Sequence, residues 1–211
     1  MAILEIKNVT YSYNKKKNVL NGMSVELASG KLYAILGASG SGKTTLLSLL
    51  GGLDIPTRGT VLFNGEDILN KGLDYHRRHH VALIFQNYNL IDYMTPIENT
   101  QLMAKQEGLS ILLRLGLSKE ETKRNVLQLS GGQQQRVAIA RALASDASII
   151  LADEPTGNLD VDTAAEITAI LKETAHDLDK CVVVVTHSNE VAKQADIVLR
   201  LKNGGLYTEV K

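Results

Sequence analysis

Gly37-Ala38-Ser39-Gly40-Ser41-Gly42-Lys43-Thr44 fits the pattern G-x-x-x-x-G-K-[ST]. It follows a short apolar run, Leu32 to Leu36, and opens a helical stripe of Leu46, Leu49, Leu50 and Leu53. No other feature constrains the fold as strongly. Its glycines let the backbone curl so that successive N–H groups face phosphate oxygens, and the helix N-terminus adds partial positive charge. Lys43 is placed to reach β and γ phosphates, and the Thr44 hydroxyl can ligate Mg²⁺. The motif implies a nucleoside triphosphate and Mg²⁺ but leaves open what the energy is used for.

The remaining elements predict an α/β fold. Leu32–Leu36, Val81–Phe85, Ile149–Ala152 and Val182–Thr186 are continuous apolar runs, expected of parallel strands covered by helices on both faces. Leu4 and Ile6 alternate with Glu5 and Lys7, and Met23, Val25 and Leu27 with Ser24 and Glu26, which predicts half-buried strands. Gly59–Phe63 followed by Asn64-Gly65 reads as a strand entering a tight turn. An N-terminal antiparallel β layer is therefore expected beside a mostly parallel sheet. Ile167, Ile170, Leu171 and Leu178 form another helical stripe, with Thr163 and Glu166 spaced as a capping box. Residues 88–135, rich in Leu, Lys, Gln and Glu, are expected to form a small helical subdomain between core segments 1–87 and 136–211, all within one domain.

Two further motifs bear on chemistry. The run Ile149–Ala152 delivers Asp153 and Glu154 at its C-terminal end, the side of a parallel sheet where ligands bind. A strand ending in two acids is often only a polar end; beside a phosphate loop, Asp153 suits Mg²⁺ and Glu154 suits deprotonation of an attacking water. Leu129-Ser130-Gly131-Gly132-Gln133 precedes a helix whose apolar face is Val137, Ala140, Leu143 and Ala144, so it offers a second set of N–H groups at a helix start.

Composition narrows the function classes. Lys plus Arg and Asp plus Glu both total 23, leaving no bulk positive field for non-specific binding of nucleic acid or lipid. Cys181 is the single cysteine, which excludes an intrachain disulfide framework and fits a reducing cytoplasm. The opening MAILEIKNVT does not read as a signal peptide, and no apolar run approaches the roughly 20 residues needed to cross a bilayer. Membrane work would then need another subunit.

Taken together, the motifs resemble the nucleotide-binding subunit of an ABC transporter, over nearly the whole chain. On that resemblance Walker A is Gly37–Thr44, the signature Leu129–Gln133, Walker B ends at Asp153-Glu154, and the D-loop is Asn158-Leu159-Asp160. Gln86 looks like the Q-loop glutamine and His187 like the switch histidine. The wording Ala152–Asp160 is similar to the subgroup serving lipoprotein release, macrolide efflux and antimicrobial-peptide export or resistance.

The resemblance implies a P-loop core that binds and hydrolyses ATP with Mg²⁺ as two copies facing head to tail. It places Gly37, Ala38, Ser39, Gly40, Ser41, Gly42, Lys43, Thr44 and Thr45 on ATP, with Tyr13 stacking on adenine and Tyr11 as a neighbouring alternative. Ser130, Gly131, Gly132 and Gln133 would contact the partner's nucleotide, Asp160 would join the two sites, and Thr44, Asp153 and Gln86 would serve the metal. Glu154, His187 and Gln86 would form the catalytic group, driving a separate transmembrane permease at the inner face of the cell membrane, with no nucleic acid involved.

Only 44 positions separate Gln86 from Ser130, short for the family, and the chain after His187 is expected to leave no room for a regulatory domain. His76-Arg77-Arg78-His79-His80 is read as a solvated basic stretch rather than a metal site, Lys15-Lys16-Lys17 as a charged loop, and Cys181 as a core thiol. A soluble ABC-type ATPase acting on DNA or ribosomes is the chief rival reading. A phosphate-loop kinase leaves Leu129–Gln133 and His187 unexplained.

Overall fold

The computed structural model describes residues 2–13, 17–102 and 107–209; Lys15 and Lys16 of the lysine run lie outside the described residues. The alternating N-terminal segments form β1 (Ala2–Tyr11) and β2 (Leu20–Ala28), paired antiparallel. After β3 (Lys31–Leu36) and α1 (Lys43–Leu50), the chain returns to the first layer as β4 (Arg58–Phe63) and β5 (Glu66–Asp67). Asn64 and Gly65 join the last two with positive φ at both residues, as tight hairpins require. The resulting sheet has the order β2-β1-β4-β5.

Next come α2 (Leu73–His79), β6 (Val81–Ile84), α3 (Pro96–Gln101) and α4 (Gly108–Arg114). Two 3₁₀ turns, Glu121–Lys123 and Val126–Gln128, lead into α5 (Gly131–Leu143). No described residue between 88 and 135 is in a strand. The chain then forms β7 (Ile149–Asp153), α6 (Val161–Asp177), β8 (Cys181–Thr186), α7 (Asn189–Gln194) and the hairpin β9 (Ile197–Lys202) and β10 (Gly205–Glu209).

The second sheet has the order β10-β9-β3-β8-β7-β6, parallel throughout except for the antiparallel β9–β10 pair. Its central strands are buried on both faces. In β8, Val182 and Val184 join the core beneath α5, α6 and α7, while Cys181, Val183 and Val185 join the core shared with α1 and the antiparallel sheet. Each fully buried valine-sized side chain contributes about 1.5–3 kcal/mol, so the uninterrupted apolar runs are the energetic centre of the fold. Burial pushes the Cys181 thiol up to about 12, consistent with an inert core residue.

Four local expectations are corrected. Leu53 does not continue the α1 stripe: the helix ends at Leu50, Gly52 turns the chain at φ 65°, and Leu53 is exposed. The start of α6 is capped by Asp160, which accepts from Thr163 N at 2.9 Å, while Glu166 pairs with Arg136 at 2.8 Å instead of closing a box with Thr163. Leu178, past the helix end, is exposed. Nor is the histidine-arginine run a solvated stretch. It forms most of α2 and buries His76, whose Nε2 bonds Leu50 O at 3.1 Å and whose Nδ1 meets His80 Nδ1 at 3.1 Å.

Candidate functional site

Pairing brings the C-terminal ends of four adjacent strands to one edge. Leu36 of β3 is in register with Thr186 of β8, Val185 of β8 with Asp153 of β7, and Ala152 of β7 with Ile84 of β6. The residues that follow, Gly37, His187, Glu154 and Gln86, therefore emerge side by side from separate parts of the sequence, where open α/β sheets bind ligands.

The loop 37–44 leaves the start of α1 without a side-chain cap. Gly42 caps α1 at φ 102° without a side-chain hydrogen bond, so the first-turn N–H groups have no side chain turned in to cover them. A Cβ on Gly42 would approach Val19 Cγ1 to 2.8 Å, and one on Gly37 would approach Ser41 Oγ to 2.5 Å and Leu201 O to 2.9 Å. Lys43 folds over its own loop, donating to Gly37 O at 2.9 Å and Ala38 O at 3.3 Å, and Ser41 Oγ is buried with no hydrogen-bond partner among the described residues. These are groups that a polyphosphate would satisfy. Beside them lies an open cleft of about 940 Å³ lined by Tyr13, Lys17, Gly37–Ser41 and Arg200–Gly204.

Tyr13 and Tyr11 separate clearly. Tyr13 is 70% exposed in that cleft, with Oη 2.7 Å from Thr45 Oγ1. Tyr11 is 7% exposed, donates to Asp54 and meets Tyr13 edge-on with ring centroids 5.0 Å apart. Only Tyr13 offers a free face to a flat ring.

Asp153 and Glu154 point to different neighbours. Burial raises the Asp153 carboxyl above the ordinary carboxylate range and Glu154 adds to this, against a hydrogen bond from Thr44 and the charge of Lys43. Thr44 and Asp153 thus form a pair of hard oxygen donors at the loop. No group of three or more His, Cys, Asp or Glu among the described residues is arranged to hold a metal. The pair fits Mg²⁺, which needs few protein carboxylates when water and phosphate oxygens complete its octahedron. Glu154 has φ 46°, left-handed and unusual for a non-glycine residue. Its Oε2 accepts from Thr186 Oγ1 at 3.0 Å and His187 N at 3.4 Å, and its Oε1 lies 3.0 Å from His187 Nδ1. The carboxylate is oriented from one side, and the 71% exposed His187 side chain leaves Nε2 available. Gln86 lies near the same turn, its Nε2 3.9 Å from where a Gly157 Cβ would sit.

The second glycine-rich start is elsewhere. Ser130 caps α5 in a reciprocal box with Gln133, at 3.3 Å to Gln133 N and 2.8 Å from Ser130 N to Gln133 Oε1, while Gln133 Nε2 donates to Glu121 at 2.6 Å. Ser130–Gln133 are not among the residues lining the cleft beside the phosphate loop. Asp160 is the α6 cap described above, its carboxyl held below the ordinary range by the hydrogen bonds from Thr163.

Sequence reasoning missed several supporting residues. Thr186 counted only as a strand end, although its place directly before His187 was a signal. Arg136 donates to Leu115 O at 2.6 Å, and Arg141 donates to Asn89 O at 2.6 Å and Tyr88 O at 3.0 Å. Both arginines stand among the alanines and valine of α5, an incongruity visible in the sequence; their partners were not.

Comparison with known proteins adds the following. The family model described as ABC transporter matches residues 20–157. The uncharacterized ABC transporter ATP-binding protein YclH of Bacillus subtilis is 42% identical over 97% of this chain and 95% of its own length. The macrolide export ATP-binding/permease protein MacB of Shigella sonnei is 42% identical over 96% of this chain, which spans only 33% of that protein. The dimeric structure of MJ0796, a bacterial ABC transporter cassette, superposes with a TM-score of 0.88 at 37% identity, covering 98% of this chain and 97% of that one. A post-hydrolysis dimer of the same cassette, bound to ADP and Pi, gives a TM-score of 0.87 at 36% identity. Among the described residues no helix is long and apolar enough to cross a membrane.

Proposed function

Because the chain belongs to the ABC transporter family and is one of its ATP-hydrolysing cassettes, we propose that two copies close head to tail around two ATP molecules and drive a separate transmembrane permease. One observation carries this reading: besides the glycine-rich helix start at the phosphate loop there is a second, Ser130–Gln133, and it is not among the residues lining the cleft beside that loop. A second copy would supply the missing wall of each nucleotide site.

In each site Tyr13 stacks on adenine, and Lys43 leaves the carbonyls of Gly37 and Ala38 for the β and γ phosphates. The N–H groups of residues 37–45 close on the phosphate chain, and Ser130, Gly131, Gly132 and Gln133 of the other copy close on the γ phosphate and ribose. Thr44 and Asp153 hold Mg²⁺ with Gln86 beside them, and the ion when bound neutralises phosphate charge. Glu154 takes the proton of the attacking water, and His187 presents its Nε2 side to the γ phosphate while Nδ1 stays on Glu154. Asp160 links the two sites. A ligand that favours the closed pair shifts the population towards closure, and its hydrolysis removes that preference.

On this reading the cassette sits on the cytoplasmic face of the membrane through its permease. Its task on this reading is export of, or resistance to, peptides, lipoproteins or drugs, as the wording of Ala152–Asp160 suggests, and the similarity to MacB, a macrolide export protein, supports the drug among these. The balance of 23 basic and 23 acidic residues speaks against the rival reading on DNA or ribosomes. The test is sedimentation of the Glu154→Gln chain with ATP. It should run as a dimer, and adding Ser130→Arg should return it to a monomer that still binds ATP. A monomer at every concentration without the second change refutes the composite site.

A further inference from the structure

The loop after β6 is held in its shape by a residue far along the chain. Tyr88 at φ 60° and Asn89 at φ 48° are consecutive left-handed residues, a conformation that a Cβ disfavours and that tyrosine tolerates less readily than asparagine. The loop's own bonds are short-range: Tyr88 N donates to Phe85 O at 3.2 Å and Asn89 N to Asn87 O at 2.6 Å. Across the fold, Arg141 of α5 donates one guanidinium nitrogen to Asn89 O at 2.6 Å and the other to Tyr88 O at 3.0 Å. A planar fork of donors suits two neighbouring carbonyls, where a single ammonium would serve only one well.

The same loop meets α5 at its other end. A Cβ on Gly131 would come within 3.0 Å of Tyr88 Oη, so the tyrosine side chain is seated on the first residue of the helix. Gly131 and Arg141 are separated by about 15 Å along the helix axis, at 1.5 Å per residue. The loop carrying Gln86 is thus fastened near both ends of one rigid rod, and that rod begins with Ser130–Gln133.

We propose that Arg141 is a positioning residue that fixes Gln86 relative to Ser130–Gln133, so that the loop facing the chain's own γ phosphate and the helix start facing the partner's nucleotide move as one body. The proposal rests on the composite-site reading above and adds to it the part that links the two sites within a chain. Neither Arg141 nor Tyr88 touches nucleotide in this account. Arg141 acts through the shape of residues 86–89.

The experiment compares Gln86→Ala, Arg141→Met, Arg141→Lys and the Gln86→Ala/Arg141→Met double variant. It measures turnover, ATP affinity, and amide hydrogen exchange of the nucleotide-free chain. Arg141→Met should lower turnover by up to about 10²-fold, the scale of a misplaced reacting geometry, with ATP affinity unchanged. Exchange should accelerate at Tyr88 and Asn89 while β3 and β8 stay protected, and Arg141→Lys should fall between parent and Arg141→Met in both readouts. In the double variant the loss should be no greater than for Gln86→Ala alone, because Arg141 works through that residue. Losses that multiply, or unchanged exchange at Tyr88 and Asn89, overturn the proposal. If Arg141→Met does not fold, the same cycle is run with Arg141→Lys. A parent-like rate for Gln86→Ala would refute the role given to Gln86 in hydrolysis, and the exchange result would still decide whether Arg141 holds the loop.

Discussion

Replacing Glu154 with glutamine separates proton transfer from architecture. The carboxylate accepts from Thr186 Oγ1 at 3.0 Å, from His187 N at 3.4 Å and pairs with His187 Nδ1 at 3.0 Å. Glutamine has the same length and keeps one acceptor oxygen for the Thr186 side, while its NH₂ can donate to Nδ1 if the imidazole adopts the other tautomer. The cost to folding is therefore at most one hydrogen bond, about 0.5–1.5 kcal/mol, equivalent to a melting shift below about 6 °C for a chain of this size. The backbone strain at φ 46° is the same for both residues. Loss of a general base, by contrast, slows turnover about 10²–10⁴-fold, or about 2.7–5.4 kcal/mol in the barrier at 1.36 kcal/mol per tenfold. The catalytic effect outweighs the structural one. Phosphate release from ATP with saturating Mg²⁺, measured beside a thermal melt, should show a collapse of turnover with a small change in melting. Parent-like turnover would remove Glu154 from the role of base, and a large melting drop would show that its hydrogen bonds serve the fold instead.

Two other outcomes are expected. Lys43→Ala should abolish tight ATP binding in equilibrium titration, because on the proposed reading the ammonium that now sits on Gly37 O and Ala38 O moves to the phosphates; normal affinity would contradict the phosphate-loop assignment. For pH, burial lowers the folded pKa of His76 below its ordinary 6.5, so its contribution to stability is fully present above about 6.5 and is lost as pH falls from there through the lower folded value. Melting temperature should decline over that acidic window, and the His76→Gln variant should show a flatter profile; identical slopes would show that another group governs the window.

Much of this arrangement could be read from residues 1–211 without coordinates, for a physical reason. Strands covered on both faces must be apolar throughout, so β3, β6, β7 and β8 announce themselves, and the phosphate loop carries its geometry in its glycines. Ambiguity arose where one pattern satisfied two local rules. Asp160 and Thr163 both stand three residues before a residue they could cap, and only the backbone shows that Asp160 is used. Tyr11 and Tyr13 share an alternating face, and burial by the second layer is what distinguishes them. The solvated reading of residues 76–80 failed because His76 finds its partner at the carbonyl end of α1, a tertiary contact no local pattern encodes. Arg141 was out of reach for the same reason.

The shared edge of the parallel sheet also sets which changes of chain length the protein can absorb. Hydrogen-bonded ladders fix the relative heights of Leu36, Ile84, Asp153 and Thr186. One residue inserted into β7 would advance Glu154 by about 3.3 Å and turn it to the opposite face of the sheet. The same insertion between α6 and β8, at the far edge, could bulge into solvent and leave every reacting group where it was. Lengthening or grafting is therefore best confined to the connections that enter these strands, because the strands themselves act as the ruler against which the chemistry is aligned.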